Sequence, residues 1–287
     1  MTIIEALYNE IDEIRNDNRS GSSELALKAL EILTASMDLE NNDIDIFPAS
    51  IASMLTKTKP AMAAIKVICD YTLNDYRKSL YKGQKYFCKE VRNKMLRSNN
   101  KTMLKAYNTL FAPNPDKIYK IATCSYSSNV FNLLNHADEK GIKIQLFPLR
   151  SVWNDIDFSV YLVEKLSETG ILSKIISFDE FENLRQEIDF CIIGADGYDF
   201  DNNVVNGLPS RKLAESAAGY TDFFVVTESF KRTNKLKIDD GFEFIPSYYI
   251  NDIISDDEQW HNEQTKSTEK KTEPSAALRR GILSPNL

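Results

Sequence analysis

The spacing of apolar residues changes character partway along the chain. In "SSELALKALEILTASM", Leu25, Ala26, Ala29, Leu30, Ile32 and Leu33 recur at helical intervals and give one broad apolar face. Serines precede that face as caps, and Glu24 lies in the first turn. "FPASIASMLTKTKPAMAAIKVICDYTLNDY" reads as two further helices that part near Lys59-Pro60, because proline disfavours helical geometry in the residue before it. A stretch rich in Lys, Arg and Tyr continues the helical pattern from about Tyr76 to Leu110, and no clear strand precedes residue 117.

After "FAPNPDK" the period shortens. "IYKIAT", "IKIQLFPL", "SKIIS", "IDFCIIGAD" and "TDFFVVTES" are short β-branched or aromatic runs, separated for the most part by amphipathic segments such as "SSNVFNLLNHADEKG", "DFSVYLVEKLSETG" and "SRKLAESAAGY". Strand, helix and strand with short connections predict parallel pairing through right-handed crossovers. The fold class is therefore α/β: an N-terminal helical domain over residues 1–115, then a Rossmann-like domain with a mainly parallel sheet over residues 116–254. Residues 255–287 are polar and of mixed charge, and are expected to form a disordered tail or a short docking segment.

Composition narrows the function classes. With 43% hydrophobic and 27% charged residues the chain is an ordinary globular one, and its net charge of -7 argues against a general electrostatic grip on nucleic acid. No apolar run approaches the roughly 20 residues that span a bilayer, and the N-terminus is acidic where a signal peptide is basic, so a cytoplasmic protein without a membrane partner is expected. Cys69, Cys88, Cys124 and Cys191 show no C-x-x-C spacing, and only two histidines accompany them. Neither a structural metal site nor a redox dithiol is expected.

In an open parallel sheet, ligands bind beyond the carboxyl ends of the strands. Here those ends read "TCSYSS", "PLRSVWND", "GADGYDFDNN" and "TESFKRTN". They supply small hydroxyls, including Ser125, Ser127 and Ser128, together with Arg150, Asp196, Glu228 and Lys231. The set suits a phosphorylated polyol, with cations for the phosphate and a carboxylate for a hydroxyl or a proton. Each residue also has a structural alternative: solvated surface charge for Arg150 and Lys231, loop or helix capping for Asp196 and the serines. Trp153 could stack on a base or a sugar or pack against the next helix.

In serial order, "RSGSSELALKALEIL", "KPAMAAIK", "IATCSYSSNV", "LRSVWND", "IIGADGYDFDNNVVNG" and "FFVVTESFK" resemble motifs of the initiation factor two-B alpha/beta/delta family. That family includes 5-methylthioribose-1-phosphate isomerase and ribose-1,5-bisphosphate isomerase. The resemblance covers roughly residues 12 to 250. It implies a cleft between the two domains that binds a phosphorylated sugar or nucleotide, no cofactor, and a homodimer formed through the C-terminal domain. In the isomerases it implies a reacting cysteine in a T-H-C loop and a reacting aspartate in G-A-D. Thr123 matches that threonine and Asp196 that aspartate, so Cys124 falls at the histidine position and Ser125 at the cysteine.

Two further departures accompany this offset. Asn206 is retained after the G-A-D strand, but Gly207 stands where many members carry lysine, and Ser151 replaces the proline that commonly follows Arg150. Lys231 is retained. Three readings follow. The first is a non-catalytic or regulatory protein that binds its ligand through Arg150, Asn206, Lys231, Ser127 and Ser128. The second is an aldose–ketose isomerase of a phosphorylated pentose using Asp196 with Cys124 or Ser125. The third is a translation-related nucleotide-exchange subunit working through a protein partner.

Overall fold

The computed structural model describes residues 2–37, 46–78, 84–111, 114 and 116–260. Its first half is helical. Helix α1 (Ile3–Asn16) begins at a capping box in which Thr2 and Glu5 satisfy each other's backbone amides, and its Leu7, Ile11 and Ile14 face inward at helical spacing. Helices α2 (Ser22–Met37), α3 (Ile46–Thr58), α4 (Ala63–Lys78) and α5 (Gln84–Leu110) follow. Buried residues of all five form one apolar core, which includes Ile11, Leu33, Leu55, Ile68 and Val91.

The sequence pattern did not single out α1. Of the stretch read as one helix from Tyr76 to Leu110, the described residues fall in α4, which runs to Lys78, and in α5, which starts at Gln84. Residues 79–83 lie outside the described residues.

The second half is built on a six-stranded sheet. Strands β1 (Ile118–Cys124), β2 (Lys143–Leu149), β5 (Leu172–Ser173), β6 (Phe190–Ile193), β9 (Asp222–Val226) and β11 (Asp252–Ile254) stand in the order β11-β9-β6-β1-β2-β5. Every pairing in this sheet is parallel. Helices α6 (Ser128–Glu139) and α7 (Phe158–Lys165) cover one face, where they bury Leu133 and Leu162 with Tyr119 and Ile121. Helices α8 (Phe178–Leu184) and α9 (Ser210–Ala217) cover the other, with Phe181 and Leu213 against Ala122 and Cys124.

Several short elements escaped the sequence pattern because a two- to four-residue strand cannot display a period. They are a hairpin of β3 (Val152–Trp153) and β4 (Ile156–Asp157), and a small antiparallel sheet of β7 (Gly197–Tyr198), β8 (Val204–Gly207) and β10 (Phe242–Ile245). "SKIIS" contributes only Ser173 to β5, with a single bridge from Ile176 to Leu149 beyond it.

Residues 255–260, read from the sequence as the start of a polar tail, are packed against the helices. Asp256 is buried and accepts from the Ser98, Thr102 and Ser229 hydroxyls and the Ser229 amide. Trp260 is 3% exposed, in edge contact with Tyr71 and Phe230 and beneath the Lys94 ammonium. Residues 261–287 lie outside the described residues. Among those described, no helix is long and apolar enough to cross a membrane.

Candidate functional site

The strand order turns outward in both directions from β1, toward β2 on one side and β6 on the other. The carboxyl ends of β1 and β6 therefore flank the switch point where open α/β sheets leave a crevice. β1 ends at Cys124 and is followed by Ser125; β6 leads through Gly194 and Ala195 into Asp196.

Alternation along β1 decides which side chain reaches the crevice. Tyr119 and Ile121 enter one core, while Ala122 and Cys124 enter the other. The Cys124 thiol is thus turned into the layer beneath α9, 2% exposed, with its Sγ 3.3 Å from Ser210 Oγ. Burial pushes it up to about 12, so it is a neutral thiol at physiological pH. Ser125 then leaves the strand with φ at 59°, in the left-handed region that non-glycine residues seldom adopt.

Ser125 and Asp196 line one cavity, which is open to solvent. One side of it is polar: Asp17, Asn18, Arg19, Ser20 and Gly21 from the loop entering α2, and Lys59 from the turn after α3. The other side is largely apolar, with Trp153, Phe158, Leu208 and Phe242. The indole of Trp153 lies so close over Gly241, whose φ is +82°, that a Cβ there would meet its ring at 2.6 Å.

Electrostatics distinguish the groups that are free from those that are engaged. Asp17 is committed: its carboxylate accepts from the Arg19 and Ser20 amides and from Lys28 at 3.0 Å. Burial raises its pKa, but these bonds outweigh burial and hold it well below the usual carboxylate range. Lys59 donates to Asn18 at 2.8 Å, and burial lowers its pKa against the pull of Asp17 and Asp239. Among the described residues, the Arg19 guanidinium has no hydrogen-bond or ion-pair partner, and the Asp196 carboxylate has the Ser22 hydroxyl as its nearest donor. Burial raises the pKa of Asp196, while Lys231 and Ser22 oppose the rise and Glu228 adds to it. The Ser22 hydroxyl, 2% exposed, reaches full hydrogen-bond geometry with no group.

Lys231 and Glu228 form a buried pair behind the cavity, 3.0 Å apart and 3% and 0% exposed. Glu228 also accepts from Ser23 of α2, Asn99 of α5 and Asn129 of α6 at 2.8, 3.1 and 2.6 Å. This carboxylate joins the helical half of the molecule to the end of β9.

The remaining residues singled out in the sequence lie elsewhere. Arg150 is exposed, pairs with Asp157 at 3.4 Å and does not line the cavity. Asn206 is buried and donates to Ser210. Ser127 caps α6 by accepting from the Val130 amide, and it sits where any Cβ on Gly194 would overlap its hydroxyl. Ser128 lies in the first turn of α6, near Gly21.

Sequence reasoning passed over Arg19 and Lys59, the two cations of the cavity. The signal for Arg19 was present in "RSGSS", a cation and small residues just ahead of a helix N-terminus. No group of three or more His, Cys, Asp or Glu among the described residues is arranged to hold a metal ion.

The sequence model of the Initiation factor 2 subunit family matches residues 18–257. Among solved structures, translation initiation factor eIF-2B of Pyrococcus horikoshii OT3 superposes with a TM-score of 0.75 at 19% identity, over 88% of this chain and 95% of its own. The tetrameric eIF2B-beta2-delta2 complex of C. thermophilum gives 0.74 at 11% identity, over 89% and 90%. The 5-methylthioribose 1-phosphate isomerase of P. horikoshii OT3 gives 0.62 at 14% identity, over 87% and 82%. At these identities the likeness shows a shared α/β fold.

Proposed function

The chain belongs to the initiation factor 2 subunit family, and from that premise we propose that it binds a phosphorylated sugar or nucleotide in its cleft and does so without converting it. The observation that carries this reading is the content of the cavity. A guanidinium without a partner among the described residues, the Asp196 carboxylate and a serine hydroxyl converge there, and the Cys124 thiol is buried in the core beneath α9.

Arg19 and Lys59 are assigned to the phosphate. Arginine suits phosphate through its planar fork of donors, and the amino end of α2 adds backbone polarity of the right sign. Asp196 and Ser125 are assigned to hydroxyls of the sugar. Arg150 is paired outside the cavity and Lys231 is held by Glu228, so neither is assigned a direct phosphate contact.

Arg19→Ala is expected to weaken binding of ribose 5-phosphate about 10-fold, as loss of a charge-assisted hydrogen bond does. Cys124→Ala should leave it within about twofold. Calorimetric titration of both variants provides the check; strong loss in Cys124→Ala with none in Arg19→Ala would reverse the assignment.

The isomerase reading keeps support from Asp196, whose raised pKa suits proton transfer. Among the described residues, no cysteine or histidine lines the cavity beside it.

Pairing of two copies through the α/β half completes the proposal. The resemblance of the chain to solved eIF2B subunits, one of them in a tetrameric complex, supports this pairing. Sedimentation velocity is expected to give a dimer, and a monomer at micromolar concentration would count against it.

A further inference from the structure

Ser125 sits at the carboxyl end of the central strand with an unfavourable backbone, and two neighbours account for its position. Its amide donates to the Ser151 hydroxyl at 2.7 Å, and that hydroxyl donates in turn to the Leu149 carbonyl at 3.2 Å. Ser151 is 1% exposed, so this side chain does nothing but join the end of β2 to the turn after β1. A proline side chain at that place would offer no acceptor.

The second neighbour is Gly207. Its φ is not in the left-handed region, so the backbone does not demand glycine. Space does: a Cβ at 207 would lie 2.8 Å from Ser125 Oγ. Any side chain there pushes the hydroxyl out of its place. The next amide, Leu208 N–H, donates to Gly241 O at 3.0 Å, and the Trp153 indole covers Gly241, so the strand carrying Gly207 cannot easily retreat. Ser125, Gly207 and Asp196 all line the same cavity, and the Ser125 hydroxyl has no hydrogen-bond partner among the described residues.

We propose that Ser125, Ser151 and Gly207 act as one unit, in which Ser125 presents its hydroxyl to a ligand hydroxyl beside Asp196 and the other two are the positioning residues that aim it. The amide of residue 125 has its acceptor in Ser151, and the Oγ has the empty volume it occupies beside Gly207. The inference rests on the ligand-binding reading above for the word ligand, but the aiming of the side chain stands independently of it.

The four native cysteines are all buried, which allows a direct test. In the full-length Ser125→Cys variant, iodoacetamide is expected to modify one thiol per chain under native conditions, against essentially none in the parent protein. Adding Ser151→Ala or Gly207→Ala is expected to slow that modification about fivefold or more, with circular dichroism unchanged. The same rate in all three variants, or no modification of Ser125→Cys, would overturn the proposal. Where a variant loses its fold, Ser151→Thr, which keeps the acceptor, should restore the rate.

Ribose 5-phosphate and adenosine 5′-monophosphate serve as shielding probes. Slower modification in the presence of either supports both the unit and its ligand. A thiol aimed as expected but shielded by neither would contradict the cleft as a sugar phosphate or nucleotide site and leave the positioning of residue 125 intact.

Discussion

Replacing Lys231 with alanine is expected to cost about 3–5 kcal/mol of folding stability, the penalty for leaving a buried carboxylate without its counter-charge. Glu228 is fully buried, and its other partners, Ser23, Asn99 and Asn129, are neutral donors. Burial alone raises the pKa of Glu228, but Lys231, with Asn129 and Ser23, outweighs burial and holds it below its ordinary value of 4.5. A carboxyl lower in the folded than in the unfolded state stabilises the fold above about pH 4.5 and loses that contribution as pH falls through its folded pKa.

Without Lys231, burial dominates and the sign inverts. The folded pKa then lies above the unfolded one, and stability is retained at low pH and lost as pH rises. Urea unfolding should therefore show the widest gap between parent and variant near pH 7 and a narrower one near pH 4. An equal gap at both would contradict the role given to the pair. The Lys231→Met, Glu228→Gln double variant carries no charge to strand and should recover much of the loss.

Asp196→Asn is expected to separate binding from stability. Burial raises the pKa of Asp196 above its ordinary 3.8, so its ionised form costs the folded state free energy at neutral pH. The favourable contribution is present below the unfolded pKa and disappears as pH rises. An amide of the same shape should leave the melting temperature unchanged or raise it. Affinity for a phosphorylated sugar should fall about 30-fold, since a hydrogen bond to a charged group is lost. A large fall in melting temperature with unchanged affinity would instead make Asp196 a structural residue. Its carbonyl, which accepts from the Ala63 amide at 2.9 Å, is present in both forms and cannot explain a difference.

Much of this fold is written in the period of the apolar residues. β1, β2, β6 and β9 are long enough to show their pattern, and the helices between them force parallel pairing. Ser125 and Asp196 were legible as residues at strand ends and by the family resemblance; the strand order that brings the ends of β1 and β6 together was not. The two-residue strands β3, β4 and β7 carry no such signal.

Charge partners were less legible than positions. Arg150 turns to Asp157 and Lys231 to Glu228, choices that depend on which side chains the packing leaves within reach. Arg19 and Lys59 reach the cavity through the packing of the helical half on the small antiparallel sheet at the start of α4, where the Ala63 amide is bonded to Asp196 O. The facing of Cys124 follows from alternation along β1, but that of Ser125 depends on the left-handed backbone with which the chain leaves the strand, which no period displays.

The measurement that tests the central claim most directly incubates the purified protein with ribose-1,5-bisphosphate and methylthioribose-1-phosphate, following binding by calorimetry and ketose formation by nuclear magnetic resonance. Saturable binding that Arg19→Ala weakens, with no ketose formed, is the expected result. Ketose formation that disappears in Asp196→Asn would contradict it.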